Sequence, residues 1–268
     1  MNITSRLALA FVSAALILTS CEKSGKKTLS SLTDLEGAKI ASQTGAVFAR
    51  FIDPVISNVE HKNFNSLPDI AKALSTGKVD AASLDMPVAK YFVVQNPDFA
   101  IFPQTVAYDL YGYAVAKDSE LGIKANEVLQ RLKENATLRK LEDIWFSTDE
   151  SKKILPTPDY KEDFNGNAGT IKFGCESTMV PMSYIGADGQ LIGFDPALAS
   201  MIAYEMNMNV EFVPMTFDTL LPALASGKVN MVGSAMSITE ERLKSVDFVG
   251  PYFEGGIVLV VKKDRLKR

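Results

Sequence analysis

One histidine, His61, and two cysteines, Cys21 and Cys175, are all this 268-residue chain offers of the side chains most used by metal sites and by imidazole or thiol catalysis. A Ser-His-Asp triad would have to use His61, which lies in a polar, strand-like stretch, and a multi-histidine metal site cannot be built. No metal and no cofactor are expected. An excess of basic residues is also missing: 28 Lys and Arg stand against 32 Asp and Glu, for a net charge of −4. No broad positive field exists to attract nucleic acid. Long apolar runs are absent as well, since the stretch Leu7 to Leu18 is too short to span a bilayer. What the chain does have is 47% hydrophobic residues, the ordinary globular share of about 45–50%, so it can bury a sizeable core.

The N-terminus reads as a processing segment. Arg6 supplies a positive start, Leu7 to Leu18 an apolar middle, and small residues come next, the pattern of a secretory signal over residues 1–21. Its end, Leu18-Thr19-Ser20-Cys21, resembles the bacterial lipobox, which implies cleavage before Cys21 and a lipid on that cysteine. Cys175 is then left without a partner for an internal disulfide and reads as a small strand-end residue rather than a nucleophile. Residues 22–34 begin with Lys23, Gly25, Lys26 and Lys27, show no apolar periodicity at first, and are expected to form a flexible tether.

Beyond the tether one text occurs twice. Ala73-Leu-Ser-Thr-Gly-Lys-Val-Asp80 and Ala223-Leu-Ala-Ser-Gly-Lys-Val-Asn230 stand 150 residues apart. Each reads as a helix end, a Gly at the C-cap where a left-handed backbone is favoured, and the start of an apolar strand. Around the first copy the pattern runs strand (Ala38 to Gln43), helix (Val47 to Ser57), strand (Val59 to Phe64), helix (Leu67 to Ser75), strand (Val79 to Leu84), helix (Pro87 to Gln95) and strand (Ala100 to Phe102). Around the second it runs from a strand at Ile171 through a helix ending at Met206, a strand at Val210 to Pro214, the helix Leu220 to Ser226 and a strand from Val229, to a final strand at Ile257 to Lys262. Such alternation implies parallel, helix-covered sheets. Residues 35–103 are expected to form one α/β lobe and 104–264 another, with residues 148–169, rich in Pro, Gly and charge, as a linker inside the second. Two lobes leave a cleft, where small ligands commonly bind.

The later run resembles the first lobe of bacterial extracellular solute-binding proteins for polar amino acids, family 3, the receptors of ABC importers. The matching text is Gly174-x6-Pro181, Gly189-x3-Gly193-Phe-Asp195, Phe217-x3-Leu221-x2-Leu224-x2-Gly227, Ser237-Ile-Thr239-x2-Arg242 and Asp247-Phe-x2-Pro251-Tyr252. The earlier run is similar to that family's second lobe, through Asp34-Leu-x-Gly37, Gln43-x-Gly45, Gly77-Lys-Val-Asp80 and Asp85-x-Pro87-Val. The resemblance implies two Rossmann-like lobes joined at a hinge, as in type II periplasmic binding proteins. The order is reversed relative to the family, so a circular permutation is expected, cut in a crossing strand and leaving one covalent crossover near Pro103 to Ala107.

The resemblance also assigns expected roles to single residues of the site. Arg242 would take a ligand carboxylate with its planar fork, and Asp85 the ammonium. Ser237 would add a hydroxyl, the Ala235 carbonyl would accept from the ammonium, and Phe217 would cover the aliphatic part. Glu176 would read the ligand's side chain and favour an amide or a cation. Met179 stands where the family usually has an aromatic. Ala46 and Val47 lack the hydroxyls the family offers there, which leaves the backbone N–H groups of this stretch, Gly45 and Val47 among them, and the hydroxyl of Thr44, at a helix start. The implied protein is a non-enzymatic, monomeric, membrane-anchored extracytoplasmic lipoprotein, in the periplasm or at the cell surface, with a small zwitterion, an amino acid first of all, as ligand and an ABC permease as partner. A sensor working with a membrane signalling partner, and an enzyme of the same fold such as a cyclohexadienyl dehydratase, are the alternative readings.

Overall fold

The two copies of the repeated text fold alike. Gly77 and Gly227 both take φ of +73°, and Lys78 N and Lys228 N donate back to the carbonyls of Ala73 and Ala223 at 2.9 and 3.0 Å. Both turns then deliver the chain into a buried strand. Asp80 Oδ2 accepts from Lys39 N at 3.0 Å, and Asn230 Oδ1 accepts from Lys172 N at 2.8 Å. The same turn is thus stitched to the same neighbouring strand in both halves.

The computed structural model describes residues 28–147, 149–157 and 163–267. The expected signal, the lipidation site Cys21 and the first part of the tether lie outside the described residues. In chain order the leading part contains β1 (Lys39–Gln43), α1 (Ala49–Ile52), β2 (Glu60–Phe64), α2 (Leu67–Ser75), β3 (Ala81–Asp85), α3 (Met86–Gln95) and β4 (Phe99–Ile101). The long strand β5 (Ala107–Ala116) and helices α4 (Glu120–Glu134) and α5 (Thr137–Trp145) come next. The trailing part contains β6 (Thr170–Cys175), the short strands β7 (Thr178–Met179), β8 (Ser183–Ile185) and β9 (Leu191–Ile192), α6 (Phe194–Glu205), β10 (Asn209–Pro214), α7 (Leu220–Ala225), β11 (Met231–Val232), α8 (Glu240–Leu243) and β12 (Val246–Lys262).

Local sequence explains the main helices. Ser66 caps α2 by accepting from Asp69 N, Pro68 sits in its first turn, and Leu67, Ile70, Ala73 and Leu74 form its buried face. Ser119 caps α4 in the same way, and Ala125, Val128, Leu129 and Leu132 are its buried stripe. Helix α6 is apolar on nearly every side and buried from Phe194 to Tyr204, the mark of a helix enclosed by its neighbours.

In the leading lobe β1 pairs in parallel with β2 and β3; in the trailing lobe β6 pairs in parallel with β10 and β11. Between these sets lie β5 and β12, antiparallel to each other, so the strands take the order β10-β6-β11-β5-β12-β3-β1-β2. β5 joins β11 of the trailing lobe, and the end of β12, Ile257–Val261, joins β3 of the leading lobe. Leu35, Ile40, Ile52, Phe102, Ile257 and Leu259 belong to one apolar cluster within the leading lobe; a larger one centres on Phe173, Phe194, Trp145 and the helices around them.

Four expectations need correction. Two strands, not one, connect the lobes: β12 runs unbroken over 17 residues from the trailing lobe into the leading one, although the trailing lobe was expected to extend through residue 264. The last strand was expected only from Ile257 to Lys262; its earlier part accommodates Gly250 and Pro251 in the bulge between Val249 and Phe253, the place where a strand tolerates a missing N–H. The helix expected from Val47 to Ser57 is the single turn of α1, because Pro54 lacks the N–H that would continue it. The tether, expected through residue 34, ends sooner: Leu29 is buried, pairs with Leu266, and a 3-10 turn covers Leu32–Leu35.

Candidate functional site

Asp85 is both the last residue of β3 and the residue that precedes α3. Its carboxylate does not cap that helix. It turns instead to Tyr111 on β5, whose hydroxyl donates to Oδ1 at 2.5 Å. Burial pushes the Asp85 carboxyl up to about 7, against the pull of the Tyr111 hydrogen bond and with a further push from the nearby Asp109.

Across the cleft, Thr239 caps α8 by accepting from Arg242 N at 3.2 Å, which fixes the start of the helix and the position of Arg242. The Arg242 residue is 8% exposed; its Nη1 donates to Ser237 O at 2.8 Å and Nη2 reaches Gly45 O of the opposite lobe at 3.1 Å. The guanidinium lies 5.7 Å from the centre of the Phe217 ring. Burial lowers the Arg242 pKa to about 10, still charged at neutral pH.

Beside these two side chains lies a cavity of about 20 Å³, room for little more than a water molecule, lined by both lobes. From the leading lobe come Gln43, Ala46, Val47, Ser83 and Asp85; from the trailing lobe come Met179, Phe217, Ser234, Ala235 and Ser237. Of the expected residues, Asp85, Ser237, Ala235, Phe217, Met179 and Val47 are therefore brought together, with Arg242 held against Ser237 and Phe217. Gly45 approaches from the leading lobe at φ +85°, and a Cβ there would meet Asp218 Cα at 3.0 Å, so a side chain would force the lobes apart. Thr44 gives its hydroxyl to Asn65 Oδ1 at 3.0 Å rather than to the cleft. Glu176 lies outside this lining: its carboxylate accepts from Thr178 N at 2.6 Å and Thr178 Oγ1 at 2.7 Å.

Three residues not singled out from sequence complete the surroundings. Asp109 on β5 is 6% exposed and its Oδ2 has no hydrogen-bond partner among the described residues; burial raises its pKa, while the neighbouring Ser237 hydroxyl and the Arg242 charge lower it. Gln43 Nε2 is a buried donor without a partner in the same sense. Asp195, at the start of α6, is fully buried and accepts from Ala235 N at 3.0 Å, holding Ala235 at a φ of +46°. The Gly193-Phe-Asp195 text was visible in sequence, but that Asp195 supports Ala235 was not. Asp109 carries no local pattern at all, only its place on a crossing strand. Among the described residues no group of three His, Cys, Asp or Glu could hold a metal ion, and no helix is long and apolar enough to cross a membrane.

Two Rossmann-like α/β lobes, joined by paired crossing strands and facing each other over charged side chains, define a protein of the type II periplasmic-binding-protein class. Residues 171–267 match the family model of bacterial extracellular solute-binding proteins, family 3. ABC transporter arginine-binding protein 1 of Escherichia coli (strain K12) is 40% identical over 100 residues, 37% of this chain and 41% of that protein. A probable histidine-binding protein of Campylobacter jejuni is 43% identical over 84 residues, 31% of this chain and 32% of that protein. A solved structure, an ancestral arginine-binding protein bound to arginine, is 45% identical over 31% of this chain and 36% of its own, with a TM-score of 0.29. The chain thus spans less than half the length of the curated relatives it matches. Its similarity to the bacterial extracellular solute-binding proteins, family 3, covers the trailing residues 171–267.

Proposed function

We propose that the chain is an extracytoplasmic receptor that closes its two lobes on a free amino acid and passes it to the permease of an ABC importer. The observation that carries this reading is a cavity lined by both lobes with Asp85 in its wall and Arg242 held against two other lining residues, Ser237 and Phe217. A zwitterion needs one cation and one anion, since burying either of its charges without a partner costs several kcal/mol. Its carboxylate would take over the Arg242 fork from the Gly45 carbonyl, and its ammonium would meet Asp85 and the Ala235 carbonyl. Ser237 and Gln43 would add donors, and Phe217 and Met179 apolar walls.

Arginine and histidine are named in relatives that match, and a cationic amino acid is the ligand class we infer. The rest of the reading rests on sequence: a lipid on Cys21 would hold the receptor at the membrane, and the protein would act as a monomer without catalysis. Lobe order is permuted relative to the family. This reading is supported by the match of the family model to residues 171–267 and by the backbone bonds that join Leu29 to residues 265 and 267.

A thermal-shift screen of the soluble body against the common amino acids tests the proposal. Ligand at about a hundred times its Kd should stabilise by about 2.7 kcal/mol. Shifts are expected with arginine, lysine or histidine and smaller ones with glutamine; no shift with any amino acid would contradict it.

A further inference from the structure

Tyr111 and Tyr113 stand two residues apart on β5 and so share a face of that strand. Each lies over a glycine of a neighbouring strand. A Cβ on Gly255 of β12 would fall on the Tyr111 hydroxyl, and one on Gly233, next after β11, would fall on the ring of Tyr113. Both tyrosines are fully buried. Tyr111 gives its hydroxyl to Asp85 Oδ1 at 2.5 Å, and Tyr113 gives its own to the Asp195 carbonyl at 3.0 Å. The ring of Tyr111 stacks on Phe253 of β12 with centres 5.8 Å apart, which fixes the direction of the hydroxyl.

The main chain at Tyr111 is tied to the other side of the cleft. Gly112 N donates to Met236 O at 3.0 Å and Ile238 N donates to Leu110 O at 2.8 Å, the two bonds that set Tyr111 against Ser237. One residue is thus bound to a trailing-lobe loop by its backbone and to the last residue of the leading-lobe strand β3 by its side chain. We infer that Tyr111 is a positioning residue of the binding site, which holds Asp85 for the ligand ammonium and ties that contact to the Ser237 loop that serves the carboxylate. This deepens the receptor reading and rests on it for the ligand. Tyr111 occupies Oδ1, and the ammonium would go to Oδ2.

The charges around Asp85 make that hydrogen bond matter. Two acids, Asp109 on β5 and Asp195 on α6, disfavour ionisation of Asp85, while Arg242 on α8 and Arg50 on α1 act on Asp109. Burial and the nearby acids push the Tyr111 phenol far above its ordinary value, so Tyr111 remains the donor at any working pH. Its hydroxyl makes the one side-chain hydrogen bond to Asp85 among the described residues, and it favours the carboxylate.

The first measurement needs no ligand. Carbon-13 NMR of aspartate-labelled protein follows each carboxyl with pH, and Asp85→Asn identifies the Asp85 signal by its absence. In Tyr111→Phe, which keeps the ring, the Asp85 midpoint should move up by about one to two pH units. Gly255→Ala, whose Cβ displaces the hydroxyl, should move it in the same direction, and Tyr113→Phe should leave it in place. The second measurement is calorimetric titration of L-arginine into the parent and Tyr111→Phe from pH 6 to pH 9. At pH 7 the variant should bind about tenfold or more weakly, and at pH 9 it should approach the parent, because alkaline solution restores the carboxylate. A loss of the same size at every pH, or an unmoved Asp85 midpoint in a Tyr111→Phe protein that still melts cooperatively, would overturn the inference. A parent that binds no amino acid contradicts the receptor reading; the Asp85 midpoint in Tyr111→Phe still decides whether Tyr111 governs that carboxylate.

Discussion

The turns at Gly77 and Gly227 share their text, their backbone angle and their bond to the neighbouring strand, yet the strands they lead into carry different chemistry to the cleft. Five residues after Asp80 the chain places Asp85 against the cavity; five residues after Asn230 it places Ala235 there. One unit offers a buried carboxylate, the other a backbone carbonyl in a left-handed conformation supported by Asp195. Even the turn has diverged, for the second carboxylate oxygen of Asp80 holds Arg265, whereas Asn230 Nδ2 donates to Thr170 O at 3.1 Å. A common folding unit therefore fixes where a side chain meets the cleft, and single residues decide what charge it brings. The acid of the leading turn also secures the end of the chain, a task that the trailing turn does not have.

Making the two cleft positions equally neutral should have the largest effect. Asp85→Asn is expected to weaken amino-acid binding by about a hundredfold or more, because the ligand ammonium would lose its buried partner, as calorimetric titration would show. The native carboxyl must also ionise to bind an ammonium, so below its pKa of about 7 affinity should fall about tenfold per pH unit, with proton release on binding.

Ligand-free stability should respond in the opposite sense. A carboxyl whose pKa is raised in the folded state stabilises at low pH and loses that contribution as pH rises through the folded value near 7. Thermal melting of the parent should therefore decline between about pH 4 and pH 7. Asp85→Asn should reduce that slope, the rest of it coming from Asp195, pushed up to about 7, and from Asp109 and Glu176, which burial also raises, and should be more stable than the parent at pH 8. An unchanged slope would show that Asp85 ionises in the folded protein as it does in the unfolded chain.

The likeness of the turns predicts equal penalties. Gly77→Ala and Gly227→Ala meet open space, so each should cost only the left-handed strain, about 1–2 kcal/mol by denaturant unfolding; a large inequality would mean that the units are not equivalent. The smallest effect concerns the point of divergence. Asp80→Asn, which copies the trailing turn, should cost about 1 kcal/mol through loss of the Arg265 pair, whereas Asn230→Asp should be nearly neutral.

Much of this was legible in the amino-acid order. The repeat revealed the two lobes because helix, Gly turn and strand need particular residues in particular places, and the Ser237-Ile-Thr239-x2-Arg242 text revealed the cation because a capped turn fixes its side chain. Strand pairing at long range was less readable: the last strand was expected only from Ile257, whereas it begins at Val246 and carries Gly250 and Pro251 in a bulge. Glu176 shows the same limit for a side chain, since its carboxylate is satisfied by Thr178 two residues on, a local bond that its position in a motif does not reveal. Asp109 and Tyr111 became visible only when β5 passed beside β12 and set them near Arg242 and Asp85.

Whether a zwitterion holds the cleft shut between Arg242 and Asp85 can be decided by calorimetric titration of L-arginine into the parent protein and into Asp85→Asn and Arg242→Ala. Stoichiometric binding to the parent is expected, with loss of about a hundredfold or more in each variant and retained cooperative unfolding in both. Binding to the two variants with the parent's affinity would place the ligand elsewhere and contradict closure on a zwitterion at this site.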